Sequence, residues 1–452
     1  MKKKILWTID LILLALLVIL VGALLIRDRK GKGADAPTGQ ESVEAYTAGG
    51  EASNGPSSVS GLTAEPIPKP EPADGADGTP GGTEGAQDAA DDAQNADGTG
   101  TDPESGTDEL QQDDFAAGSG TESTESLSEY TILYGGDVCV QNSIQVTYDA
   151  KGTPGIVGEN LLAELTGADT TVLNHEFCFS ERGEPAPDKQ YTFRAHPGYV
   201  RLLQDMGADI VSLANNHALD YGKEALSDTF VTLDDAGIDY MGAGATEERA
   251  AEMITREAGD YTIGFMAASR VYPVVSWNVL NSQPGMLPAY DADYLAAKVK
   301  EKAPLCDYLI IYVHWGVERE TYPEDYERTL GKMLIDARAD AVVGSHPHVL
   351  QGMEFYKNKP IFYSLGNFVF NASISRTAYL KATIDLERAA AEGADELSDY
   401  VSWSITPCRA ADYRTEIVSD EGNRAEFYRY MTSISYDVEC REDGSIVSLR
   451  DN

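Results

Sequence analysis

Val342-Val343-Gly344-Ser345-His346-Pro347-His348-Val349 decides how the rest of the chain is read. Two β-branched residues end a buried strand, a Gly-Ser turn follows, and two histidines flank one proline. Proline fixes its own φ and biases the residue before it away from the helical region. Both imidazoles therefore leave a stiff turn at a strand end. Neutral imidazole is the commonest side-chain ligand for metals, and it titrates near neutrality. An H-x-H pair in this place is half of a metal site, or else a surface turn with two solvated histidines.

Outward from that stretch, strand patterns alternate with helix patterns. Strands are expected at Thr131–Tyr134, Thr170–Leu173, Asp209–Leu213, Tyr308–Val313, Ala341–Gly344 and Pro360–Ser364, with a strand or hairpin at Ala258–Ala267. Helices are expected at Asn160–Leu165, His196–Met206, Lys223–Ala236, Asp291–Lys302 and Tyr326–Arg338. That alternation means an α/β architecture. Leu380–Leu386, Tyr400–Ile405 and Glu426–Glu439 read as antiparallel strands, with Ala389–Ser398 as a connector.

Five strand ends carry metal-capable groups: Asp137, Asn174 with Glu176, Asn216 with His217, His314, and His346 with His348. In open α/β sheets the ligand crevice lies outside the carboxyl ends of the strands. Each ending taken singly can be an ordinary turn cap. Capping does not explain four histidines in the same slots. Mixed carboxylate, amide and imidazole ligands suit Mn, Fe or Zn better than Ca. The set is too large for one tetrahedral zinc and would serve two divalent transition metals bridged by a carboxylate. His217 is then a general acid toward the leaving group, or a supporting group behind the ligands.

Composition narrows the function further. The 452 residues carry 35 Lys and Arg against 74 Asp and Glu, a formal charge of −39. That excludes a general nucleic-acid binder, which needs a basic face. The five cysteines are scattered with no C-x-x-C, so no disulfide framework or cysteine-rich zinc module is expected. All six histidines fall between His175 and His348.

The N-terminus has its own organisation. Residues 1–4 hold three lysines and form a cytoplasmic tail, and 5–26 are a long apolar run. At about 1.5 Å per residue, that run spans roughly 30 Å of hydrocarbon. Arg27-Asp28-Arg29-Lys30 follows it, so the run reads as an uncleaved anchor rather than a signal peptide. Residues 27–128 form an acidic linker, with about twenty acidic residues between Gly31 and Ser128 and almost no large apolar ones. A spacer of this kind suits a single-pass protein of the cell membrane whose globular domain is extracytoplasmic. The domain is expected over 129–386, with C-terminal strands over 387–452 packed on it.

The strand-end motifs carry a resemblance. They are Gly136-Asp137, Asn174-x-Glu176, Ala214-Asn215-Asn216-His217-x-x-Asp220-x-Gly222, His314-Trp315-Gly316-x-Glu318, Gly344-x-His346-Pro347-His348-Val349-x-Gln351 and Ser364-Leu365-Gly366-Asn367-Phe368. In this order they closely resemble the poly-γ-glutamate capsule synthesis protein CapA family, from about Tyr130 to Phe370. The resemblance implies a calcineurin-like metallophosphoesterase fold, an α/β/β/α sandwich of four layers. It implies a dinuclear site and a part in making, exporting or anchoring poly-γ-glutamate or a related anionic envelope polymer, beside polymer synthase subunits. Carried over by position, Asp137 binds a first metal and Glu176 bridges. Asn216, His314 and His346 complete the second, His348 returns to the first, and His217 sits beside the substrate. Asn174, Asn215, Glu318 and Asn367 are the substrate-binding candidates. Cys139 stands where many metallophosphoesterases have histidine, His175 where the family usually has an apolar residue, and Arg319 where it usually has tyrosine. By strand alternation His175 points away from the site. Arg194, Arg270 and Arg376 are candidate carboxylate or phosphate clamps, or surface charges. The chemistry expected is metal-dependent hydrolysis or transfer at an amide or phosphoester bond. The alternatives are a non-enzymatic polymer-assembly protein and a surface phosphoesterase.

Overall fold

Two β-sheets pack face to face in the computed structural model, which describes residues 128–450. β1 (Glu129–Val138), β2 (Thr170–His175), β3 (Ile210–Ser212) and β4 (Asp239–Met241) run parallel in that order in the first sheet. The chain then builds the second sheet. β5 (Ile254–Ala258) and β6 (Tyr261–Ser269) form a hairpin, and β7 (Tyr308–His314) and β8 (Ala341–Ser345) add in parallel. The hairpin of β9 (Met353–Tyr356) and β10 (Lys359–Phe362) closes that sheet beside β8. The chain returns to the first sheet through β11 (Asn367–Val369), parallel to β1. The antiparallel strands β12 (Ile374–Asp385), β13 (Val401–Ala411) and β14 (Arg414–Ile417) extend the sheet from that same edge of β1, opposite β2.

Side-chain alternation sets the layers. Ile132 and Tyr134 of β1 face the second sheet and share a core with Ile263, Phe265, Ile310 and Tyr312. Leu133, one residue out of phase, faces the opposite way. It packs with Leu161 and Leu165 of α2 (Glu159–Gly167) and Leu226 and Leu233 of α4 (Gly222–Ala236). Helices α1 (Ser143–Lys151) and α3 (Val200–Asp205) complete this face. On the far side, Leu309, Ile311 and Val313 of β7 pack with Val299 of α5 (Ala292–Lys302) and Leu330 and Leu334 of α6 (Asp325–Asp336). Each such side chain taken from water contributes about 1.5–3 kcal/mol.

Several expected elements change. β1 does not end at Tyr134 but runs on through Gly135 and Gly136, so Asp137 lies inside a strand. A Cβ on Gly136 would collide with the Gly366 carbonyl, which accepts the Asp137 N–H at 2.9 Å. Glycine alone lets the two backbones approach so closely. The strand expected over Glu426–Glu439 is instead α8 (Glu421–Ile434) followed by the short strand Val438–Cys440. Asp420 caps the helix by accepting the Asn423 N–H, and Phe427, Tyr428, Met431 and Ile434 line one buried face at helical spacing. The connector Ala389–Ser398 begins inside α7 (Leu386–Glu392), which Asp385 caps and Gly393 ends at φ 66°.

The anchor expected over 5–26 and nearly all of the linker expected over 27–128 lie outside the described residues. Among the described residues, no helix is long and apolar enough to cross a membrane.

Candidate metal centre

β1 and β2 of one sheet and β7 and β8 of the other deliver their carboxyl ends to one place. Glu176 is fully buried there, and neither of its carboxylate oxygens has a hydrogen-bond partner. His314 Nε2 lies 3.6 Å from Glu176 Oε1, and His348 Nε2 lies 3.9 Å from the same atom. Those separations are too long for hydrogen bonds, and they suit ligands around a shared cation. Glu176, His346 and His348 each offer a ligand atom, all within 4.8 Å of one another. His346 Nδ1 is buried and also lacks a partner. Buried polar atoms are nearly always bonded, and an unpaired buried carboxylate is costly. The chemistry of these donors therefore fits a divalent cation.

The surrounding bonds orient the donors. Asn174 Nδ2 donates to Asp137 Oδ1 at 2.8 Å. His348 Nδ1 lies 3.1 Å from Asp137 Oδ2 and 2.8 Å from Asn367 Oδ1. Both neighbours are acceptors, so Nδ1 carries the proton and Nε2 is left to face Glu176. His314 Nδ1 meets the Ser345 hydroxyl at 3.0 Å, and its Nε2 lies 2.9 Å from Asn216 Oδ1. Asn215 Nδ2 donates to the His175 carbonyl at 2.8 Å and to Asn174 Oδ1 at 3.2 Å. His346 and His348 both sit at positive φ, 103° and 60°. Strain of this kind is held where the surroundings over-determine it, and it re-aims both rings of the His-Pro-His turn.

Charge follows from burial. Burial, and then the nearby Asp137, push the Glu176 carboxyl well above the usual carboxylate range. Burial opposes the His348 cation, but Glu176 and Asp137 outweigh it and raise the ring to about 10. Burial and the neighbouring His348 hold His346 far below the ordinary histidine value. His348 thus retains a proton that metal ligation would displace.

His217 stands beside this cluster. Its Nδ1 is 2.6 Å from Asp220 Oδ2, and a carboxylate can only accept, so Nδ1 carries the proton. Burial lowers the ring to about 4, against the pull of Asp220. The resting imidazole is neutral and offers Nε2 as a proton acceptor; the sequence reading had offered a general acid or a supporting group behind the ligands. Phe193 stacks on it at 4.1 Å between centroids.

The other expected residues divide. Asp137, Asn174, Glu176, Asn216, His314, His346 and His348 come together, with Asn215 and Asn367 against them. Glu318 is exposed, and its charge raises both Glu176 and His348. Cys139 is a buried thiol that burial keeps protonated, with Glu176 adding to the effect. His175 lies between Phe177 and Phe179, and burial pushes it down to about 3. None of the three arginines stands free: Arg194 lies over Tyr221, Arg270 over Tyr290 and Tyr326, and Arg376 pairs with Glu426. Lys189 and Ser345 were not among the candidate site residues. Ser345 was visible inside the histidine stretch, and Asp220 as the third residue after His217. Lys189 had no motif to mark it.

Fold and site define an α/β protein with a buried cluster of carboxylate, amide and imidazole groups fitted to a divalent cation. Residues 131–372 match the bacterial capsule synthesis protein PGA_cap family, and the chain belongs to that family. It is 34% identical over 247 residues to the PGA biosynthesis protein CapA of Bacillus subtilis, covering 54% of this chain and 63% of that one. It is 34% identical over 254 residues to the capsule biosynthesis protein CapA of Bacillus anthracis, covering 55% and 61%. The chain thus spans less than two thirds of the length of these relatives. Among solved structures, a candidate 5'-nucleotidase from Staphylococcus aureus aligns at a TM-score of 0.38 and 14% identity, over 57% of this chain and 51% of that one.

Proposed function

We propose that this chain is a metal-dependent hydrolase or transferase acting on poly-γ-glutamate or a related anionic envelope polymer. The observation that carries the metal chemistry is Glu176, buried with both oxygens unpartnered among three histidines. The polymer follows from the PGA_cap family and the two CapA relatives. On this reading the two sheets form a calcineurin-like metallophosphoesterase sandwich of four layers. Residues 5–26 anchor the chain in the cell membrane, 27–128 are a spacer, and the domain over 129–386 with its extension to 452 works outside, beside polymer synthase subunits.

Asp137 and His348 would hold one divalent cation and Asn216, His314 and His346 a second, with Glu176 serving both; of these, Glu176, His346 and His348 offer donor atoms within 4.8 Å of one another. Such cations supply Lewis acidity to the substrate's oxygens. The chain's own groups do the rest. Asn174 and Asn367 hold Asp137 and His348 in place. His217 takes a proton at Nε2 from the attacking water and returns it to the leaving group, while Asp220 holds Nδ1–H. Glu318 borders the substrate, and Asn215 holds Asn174.

Elemental analysis and turnover of the purified full chain test this reading. About two transition-metal ions per chain are expected, with turnover on γ-polyglutamate or a small phosphoester lost in His348→Ala. A chain that binds no metal after aerobic and anaerobic preparation overturns it. Normal polymer output from cells carrying His348→Ala would leave an assembly role without catalysis.

A further inference from the structure

The excursion between the short paired strands Cys178–Phe179 and Arg194–Ala195 forms an arm over the His217 side of the centre. Its base is tied to α4, where Ser180 Oγ donates to Asp228 at 2.6 Å and Arg182 pairs with the same carboxylate. Its tip is tied to Asp220 three times. The Ala186 N–H donates to the Asp220 carbonyl at 2.7 Å, the Phe193 N–H to Oδ2 at 2.6 Å, and Lys189 Nζ to Oδ1. Lys189 also donates to the Asn216 main-chain carbonyl, lies 3.1 Å from His217 Nδ1 and sits over the Trp277 ring at 5.2 Å. Its side chain is 13% exposed and that of Asp220 is 0% exposed.

Two consequences follow from the donor count. Two of the ammonium's three donors go to the Asn216 carbonyl and the Asp220 carboxylate, while His217 Nδ1, 3.1 Å away, spends its proton on Asp220 and does not accept. Lys189 is therefore enclosed among groups of the protein rather than presented to a ligand. Asp220 accepts from Lys189 on one oxygen and from His217 and Phe193 on the other, so its plane is set from both sides. That plane in turn sets the His217 ring.

We propose that Lys189 is a positioning residue. Carried on the arm, it locks Asp220 and the Asn216 main chain so that His217 Nε2 is aimed into the centre. The catalytic half of the statement rests on the hydrolase reading, and the positional half does not.

The test uses the full chain with Lys189→Met and Lys189→Arg. In protein carrying ¹⁵N-histidine, the hydrogen-bonded Nδ1–H of His217 gives a downfield proton signal, assigned by its loss in His217→Gln. Lys189→Met should shift or broaden that signal, Lys189→Arg should keep it, and the His175 resonances should stay unchanged as a sign of an intact core. Metal content should equal that of the unsubstituted chain. Turnover should fall at least about tenfold in kcat with KM within about twofold, and Lys189→Arg should restore most of it. An unmoved His217 signal in Lys189→Met overturns the proposal, as does equal loss of metal and turnover. If Lys189→Met does not fold, Lys189→Gln is read in its place by the same criteria. A chain with no turnover at all removes the hydrolase reading, while the His217 signal still decides the role of Lys189.

Discussion

His348 Nδ1 lies 3.1 Å from Asp137 Oδ2, although 211 positions separate the two residues in the chain. This contact joins β1 of the first sheet to the turn after β8 of the second. It fixes which nitrogen of His348 is left to face Glu176. A carboxylate behind a ligating histidine typically affects metal affinity by about 10–100-fold.

Removing the carboxylate therefore strikes the orientation of His348 and the donor that Asp137 would itself supply. Asp137→Asn should weaken metal binding by at least about tenfold, because the amide removes both the charged acceptor behind His348 and a charged donor to the cation. A competition titration with a coloured chelator measures it. Affinity within twofold of the unsubstituted chain would mean that the contact does not orient the ring.

Glu176 should reverse its effect with metal. In metal-stripped protein, Glu176→Gln replaces a buried, unpartnered acid by a neutral group and should raise stability by about 1–3 kcal/mol. With metal present the same substitution should lower it, since the loss of a ligand removes binding energy that only the folded state receives. Thermal unfolding of both proteins, with and without chelator, gives the four values. The same sign in both conditions would count against a ligand role.

Glu327 supplies a pH dependence away from the centre. It is buried in the first turn of α6, where Oε2 accepts the Glu324 N–H at 2.7 Å and Oε1 has no partner. Burial raises its carboxyl to about 7. The folded value lies above the unfolded one, so its contribution is complete below about 4.5 and is lost as pH rises through about 7. Glu327→Gln keeps the cap and should flatten this window, worth on the order of 2–3 kcal/mol. Urea unfolding at pH 5 and pH 8 measures the slope. An unchanged slope in the variant would assign the dependence elsewhere.

Gly136→Ala should be among the most damaging single-methyl changes outside the site. The added Cβ meets the Gly366 carbonyl, which cannot move without breaking its bond to the Asp137 N–H. A loss of about 3 kcal/mol or more is expected, visible as a lowered Tm. Normal stability would mean that β1 and β11 can separate freely.

Local order was largely readable in the chain. Tyr308–Val313 is apolar throughout, as a strand covered on both faces must be, and β7 lies there, buried at every position. The C-terminal segment misled, because its aromatic residues satisfy a strand pattern as well as a helical one. The cap at Asp420 decided for the helix. The strand-end residues of the site could be named because turns at strand ends expose polar groups in regular places.

What the sequence determined by itself is the set of elements and the chemistry at their ends. Alternation, glycine and capping act over a few residues and leave a trace in the text. The spacing of Glu176 from His314 and His348, the twisted backbone at His346 and the role of Lys189 were decided only in three dimensions. Each depends on two sheets meeting face to face. Lys189 in particular carries no local signal, because its partners belong to another loop and its burial comes from packing rather than from its neighbours in the chain.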